Sequence, residues 1–80
     1  MAYGNAKYVI KAETGNNKKE NDDLYFVDMD LERQKYSLTK TKIFAKKFKT
    51  EDECFDIIDD LTMLANPDGN INTVFIIDEA

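Results

Sequence analysis

Residues 50–69 read Thr50-Glu51-Asp52-Glu53-Cys54-Phe55-Asp56-Ile57-Ile58-Asp59-Asp60-Leu61-Thr62-Met63-Leu64-Ala65-Asn66-Pro67-Asp68-Gly69. Thr50 followed three residues later by Glu53 is a capping box, in which each side chain can satisfy an orphan backbone N–H of a helix start. Glu51, Asp52 and Glu53 suit the positive end of the helix dipole. Cys54, Ile57, Ile58, Leu61, Leu64 and Ala65 recur at helical spacing and form one apolar face. Pro67 holds the residue before it out of helical geometry, so the helix is expected to span about 51–65.

A single amphipathic helix needs a sheet to lie on, and the flanks supply strands. Residues 71–78 hold Val74-Phe75-Ile76-Ile77 without polar alternation, so a strand buried on both faces is expected. Residues 6–12 alternate Tyr8, Ile10 and Ala12 with Lys7, Val9 and Lys11. Residues 24–29 are aromatic and branched in Leu24-Tyr25-Phe26-Val27. Residues 36–38 and/or 46–48 add a further strand, with Phe48 pointing inward. Residues 39–45 read equally as a short helical turn or an extended piece. Residues 13–23, nearly all polar, are expected to form a mobile loop. The fold class is therefore α+β, one domain over 1–80: a small mixed or antiparallel sheet of three to four strands, β-β-(β)-α-β, with the helix on one face. The uncovered face, with Val9, Tyr25, Val27, Val74 and Ile76 left over, points to a homodimer.

The chain has 80 residues, 42% of them hydrophobic, which is enough to fold as one domain and too few to be very stable alone. Its one cysteine excludes an intrachain disulfide and fits a reducing compartment. The N-terminal residues lack the apolar core of a secretory signal, and the longest apolar run is far too short to cross a bilayer. A cytoplasmic location is expected, without membrane contact. There is no histidine, which removes the usual general base near neutral pH and the commonest metal ligand. The expectation is a non-catalytic chain with no cofactor and no metal.

Charge is sorted along the sequence. The formal net charge is −5. Residues 33–49 hold seven basic side chains and no acidic one, whereas residues 51–80 hold nine acidic and no basic one. Asp56, Asp59 and Asp60 share the polar side of the helix at i, i+3 and i+4. Aspartate is a poor helix former, and acids late in a helix oppose its dipole. Three explanations stand: a solvated face, pairing with the basic segment, or an acidic surface of Asp52, Asp56, Asp59 and Asp60 that binds a basic protein partner. The basic stretch offers an alternative site. Lys40, Lys42, Lys46, Lys47 and Lys49 with Phe44 can grip a phosphate backbone and stack on a base. The overall acidity opposes nucleic-acid approach, and an amphipathic connector with wet lysines explains the same residues.

Other signals fail on inspection. Aligning Gly69 with the required glycine of a calcium loop puts Leu64 and Phe75 at the first and last ligand positions, which excludes an EF-hand. Cys54 lies near a helix start, where a thiol can be acidified, but three carboxylates beside it oppose the thiolate, and an inert buried thiol is expected.

Tyr8-Val9-Ile10-Lys11, followed by Ala45-Lys46-Lys47-Phe48-Lys49-Thr50-Glu51-Asp52-Glu53, resembles a pattern in small uncharacterised phage and prophage accessory proteins. There, a strand leads to a basic, phenylalanine-containing connector and then a capped helix. The resemblance covers the middle third of the chain and the first strand. It implies no activity and no site residues. It implies an origin in a phage or mobile element, where small acidic proteins bind and block host or defence proteins. The eleven basic residues here depart from proteins that imitate DNA by charge.

Overall fold

The capping box forms largely as its residues require. In the computed structural model, which describes residues 7–14, 23–70 and 73–80, the Thr50 hydroxyl accepts the Glu53 N–H at 3.3 Å. The Glu53 carboxylate accepts the N–H of Lys49 at 3.0 Å, one residue outside the expected position. Helix α1 spans Glu51–Ala65. It stops at Asn66, which has non-helical backbone angles, and the chain turns through Gly69 at φ +87°, a conformation that favours glycine.

Four strands, β1 (Tyr8–Thr14), β2 (Leu24–Asp30), β3 (Lys35–Thr39) and β4 (Thr73–Glu79), form an antiparallel sheet in the order β3-β2-β1-β4. The fold is α+β with element order β-β-β-α-β. Glu13 and Thr14 belong to β1 and not to the loop expected from residue 13, because they pair in register with Val74 and Thr73. Residue 6, residues 15–22 of that loop and residues 71–72 of the expected last strand lie outside the described residues.

A bulge decides which side chains of β2 reach the core. The β2–β3 register shifts between Phe26 and Asp28, leaving Val27 as an extra residue. Residues 26 and 29 would point to opposite faces of a regular strand. The inserted residue reverses the parity, so Phe26 and Met29 both face the helix with Leu38 and Tyr36. Ile10, Phe26, Phe48, Cys54, Leu61 and Phe75 make the buried cluster between α1 and the sheet. The rings of Phe26 and Phe48 stack at 6.3 Å. Tyr36 and Phe75, from the two edge strands, meet edge to face at 6.0 Å.

Both candidate third strands contribute, in different ways. Residues 35–39 pair as β3. Residues 46–48 wedge between β1 and β2 where their ladder ends: the Lys46 N–H donates to the Phe26 carbonyl at 2.9 Å, and Tyr8 and Phe48 exchange two bonds at 2.8 and 3.0 Å. Between them lies a 3-10 turn, Lys42–Phe44.

The connector also corrects the picture of an open sheet face. Val9, Tyr25 and Ala45 form a second buried cluster on the side away from α1. Val9 and Tyr25 are therefore unavailable to a partner. The expectation that β4 is buried on both faces fails as well. Val74 and Ile76 are 44% and 37% exposed, because β4 is an edge strand and the connector does not reach over them.

Candidate protein-binding face on α1

At about 100° per residue, the buried Cys54 and Leu61 define one side of α1 and leave residues 52, 56, 59 and 63 opposite them. Asp52, Asp56 and Asp59 are exposed, and Asp60 is half-buried at the flank. The ion pairs join other groups: Lys11 to Asp23 at 3.5 Å, Arg33 to Asp30 at 3.8 Å and Lys42 to Asp78 at 3.4 Å. Among the described residues no ion pair takes a carboxylate of α1. The first half of the helix still meets basic residues at longer range, since Lys46, Lys47, Lys49, Glu53, Asp56 and Ile57 line one open groove.

Beside these aspartates lie two exposed apolar side chains off the buried stripe. Phe55 is 53% and Met63 72% exposed. The signal was present in the sequence. Neither residue falls on the stripe of 54, 57, 58, 61 and 65, and a spacing of eight places them on neighbouring parts of the outer face. Phe55 has Asp52 and Asp59 as its i−3 and i+4 neighbours, and Met63 has Asp59 and Asp60.

The basic alternative is divided by the fold. Lys47 is drawn inward, where its ammonium donates to the carbonyls of Lys42, Ile43 and Ala45 at 3.0, 3.1 and 2.7 Å. Lys42 crosses the sheet with its ammonium 5.8 Å from the Tyr25 ring centre and pairs with Asp78. The Asp78 carboxyl is held below the usual carboxylate range, first by the Glu79 N–H and then by Lys42 and Lys11. Lys46 lies over the Phe48 ring at 5.9 Å, Lys49 is exposed, and Lys40 is exposed and engaged in an interaction of its own. Phe44 is 71% exposed, and its neighbour Ile43 75%.

Cys54 is fully buried, and burial, with Glu53 and Glu51 adding to it, pushes its thiol up from the ordinary range. Alkylation by iodoacetamide at pH 8 should be at least ~10-fold slower in the native protein than in denaturant, with the native rate following opening of the core. Equal rates would place the thiol outside the core. Among the described residues no group of three or more Cys, Asp or Glu side chains is placed to hold a metal ion, and no helix is long and apolar enough to cross a membrane. Comparison with known protein families, curated proteins and solved structures finds no match.

Proposed function

We propose that this chain is a non-catalytic protein-binding domain whose contact surface is the outer face of α1, and that its partner is a protein with a basic surface. One observation supports the reading: Asp52, Asp56, Asp59 and Asp60 lie beside the exposed Phe55 and Met63 on α1 without forming ion pairs among the described residues. Exposed apolar side chains with charged neighbours are a common composition of a contact surface. The apolar groups supply affinity when desolvated, and the rim supplies association rate and selectivity. The resemblance to phage and prophage accessory proteins fits a partner that is a host or defence protein, which the domain would block by occupying its basic surface. The alternative of nucleic-acid binding draws less support, because Lys42 and Lys47 spend their ammonium groups on internal contacts.

The test is capture from cell extract on the immobilised chain, elution with salt, and titration of the purified partner by calorimetry. Asp56→Lys with Asp59→Lys should weaken binding by about tenfold or more and flatten its salt dependence, with helix content unchanged. Phe55→Ala should weaken it by a similar factor. A partner whose affinity survives both changes would remove the face from the mechanism. Retention of DNA or RNA on a filter at low salt, abolished by Lys46→Glu and Lys49→Glu, would favour the basic alternative.

A further inference from the structure

The sheet has two edges, and they are guarded unequally. β3 is short, begins with Lys35 and lies beside the bulge at Val27, features that discourage a further strand. β4 is seven residues long, pairs with β1 without a register shift, and has no proline, glycine or lysine. The phase of its hydrogen bonds is fixed at one end, where the Ala80 N–H donates to the Lys7 carbonyl at 2.9 Å. Tyr8, opposite Glu79, agrees, since it spends its N–H and carbonyl on Phe48, away from β4. Bonded pairs alternate along an antiparallel ladder. Residues 74, 76 and 78 therefore turn their backbone groups toward β1, and residues 73, 75, 77 and 79 turn theirs outward.

Both ends of that outward row are closed. The Asn66 side chain holds the Thr73 N–H and carbonyl at 3.1 and 3.0 Å, and the Asp78 carboxylate accepts the Glu79 N–H at 2.9 Å. Between them, the N–H and carbonyl groups of Phe75 and Ile77 have no partner among the described residues. This pattern is its own complement. When two β4 strands run antiparallel about a two-fold axis through Ile76, Phe75 of each faces Ile77 of the other and four backbone bonds form. Thr73 then faces Glu79, so the closed ends meet each other. A register centred on Phe75 sets Ile77 against the occupied Thr73, and one centred on Ile77 leaves the Phe75 carbonyl without a donor. An extended segment of ordinary sequence brings open groups against Thr73 and the Glu79 N–H, where nothing is left to receive them. A second β4 meets Thr73 with an N–H already satisfied.

The side chains fit the same axis. Ile76 meets its own copy as a non-hydrogen-bonded pair, the closer type, with Val74 of each chain diagonal to it. Val74 and Ile76 are the exposed large apolar side chains of β4. Asp78 falls opposite Val74 and is already paired with Lys42 at 3.4 Å, so no like charges stand directly across the axis. We propose that the chain forms a two-fold dimer by pairing β4 with β4 in the register centred on Ile76, which joins two four-stranded sheets into one. Each chain uses its one open edge, so assembly stops at two copies. The contact is separate from the outer face of α1, and its failure would leave the preceding reading untouched.

Sedimentation equilibrium and hydrogen exchange test this. The wild type should pass from its 9.2 kDa chain mass to twice that mass between about 5 µM and about 500 µM, the range of a small interface. Both chains carry a net charge of −5, so raising salt to about 0.5 M should strengthen the dimer. Exchange at the Phe75 and Ile77 amides should slow as protein concentration rises. Ile76 is exposed in the single chain, so Ile76→Glu and Ile76→Lys should both fold. Each sets like charges across the axis and should raise the dissociation constant about tenfold or more, whereas an equal mixture should regain a two-chain species. A second variant leaves every side chain in place. Ligation at Cys54 allows an N-methyl group on the Ile77 amide, which removes an outward N–H and no bond to β1. It should keep the fold and weaken the dimer about tenfold or more. A wild type that stays at the single-chain mass, a species larger than two chains, or a dimer dissolved by salt would overturn the proposal. Variants that pair as the wild type does, or a charge-swapped mixture that stays monomeric, would overturn it equally. Amide protection independent of concentration would mean that the edge is covered within the chain. Protection of a monomeric chain only on adding another protein's extended segment would give the edge to that occupant instead.

Discussion

Leu61→Ala should destabilise the fold by about 3–4 kcal/mol and lower Tm by about 15–25 °C. Leu61 is fully buried at the centre of the cluster with Ile10, Phe26, Phe48, Cys54 and Phe75. Truncation removes its transfer energy and leaves a cavity that its close-packed aromatic neighbours fill only in part. An 80-residue chain typically has about 4–12 kcal/mol in total, so this one side chain carries a large share. Leu61→Met keeps the volume and should cost less than about 1.5 kcal/mol. Met63→Ala, two residues on, should stay within about 0.5 kcal/mol because its side chain is in solvent. Urea unfolding of the three variants reads the orientation of α1. A Met63 variant as damaged as the Leu61 one would mean that the proposed contact face is part of the core.

Asn66→Ala should cost about 2–3 kcal/mol, far more than a polar residue after a helix normally does. Asn66 is the one buried polar side chain among the described residues. Its amide nitrogen donates to the Thr62 carbonyl at 2.8 Å and the Thr73 carbonyl at 3.0 Å, and its amide oxygen accepts the Thr73 N–H at 3.1 Å. The side chain behaves as one peptide unit of an absent strand. It closes the helix end and pairs with the first residue of the open β4 edge at once. Asn66→Asp should be worse than alanine at neutral pH. It keeps the acceptor for Thr73 but turns an anionic oxygen toward two carbonyls at the negative end of a helix. Burial and those carbonyls raise the folded-state pKa of the introduced carboxyl above its unfolded value. The folded state then binds the extra proton, so stability should recover as pH falls through the raised pKa and be lost as pH rises. Thermal melts of both variants between pH 4 and pH 7 give the comparison, in which a pH-independent Asn66→Asp cost would contradict the hydrogen-bond assignment.

The consequences of the two sites differ in kind. Leu61 and Asn66 hold the sheet and helix together, and their replacement should affect binding only through unfolding. Asp56, Asp59, Phe55 and Met63 should affect binding with little change in stability. A variant set that mixes these outcomes would undo the separation between scaffold and contact face on which the functional reading depends.

How much of the site was legible in the sequence depends on the range of the forces involved. The aspartates of α1 were readable because helical periodicity places Asp52, Asp56 and Asp59 by rotation alone, once Cys54 and Leu61 mark the buried side. Phe55 and Met63 were equally placed by that rotation, but an apolar residue off the stripe declares itself only after the stripe is seen to be buried. The lysines were not readable. Residue type and neighbouring charge do not distinguish Lys42 and Lys47 from Lys46 and Lys49. Their diversion depends on Asp78, far along the chain, and on carbonyls left open by a 3-10 turn that local sequence signalled only as ambiguous.

The same division holds for the fold. Sequence by itself determined the helix and its ends, the strand cores and the mixed class. Caps, a proline stop and hydrophobic periods act within a few residues, where neighbouring side chains always meet. Only the tertiary structure decided the bulge at Val27, the wedge of residues 46–48 between β1 and β2, the exposure of Val74 and Ile76, and the duty of Asn66. Each depends on which distant backbone groups and side chains meet when the sheet assembles on its core, and no local pattern encodes that.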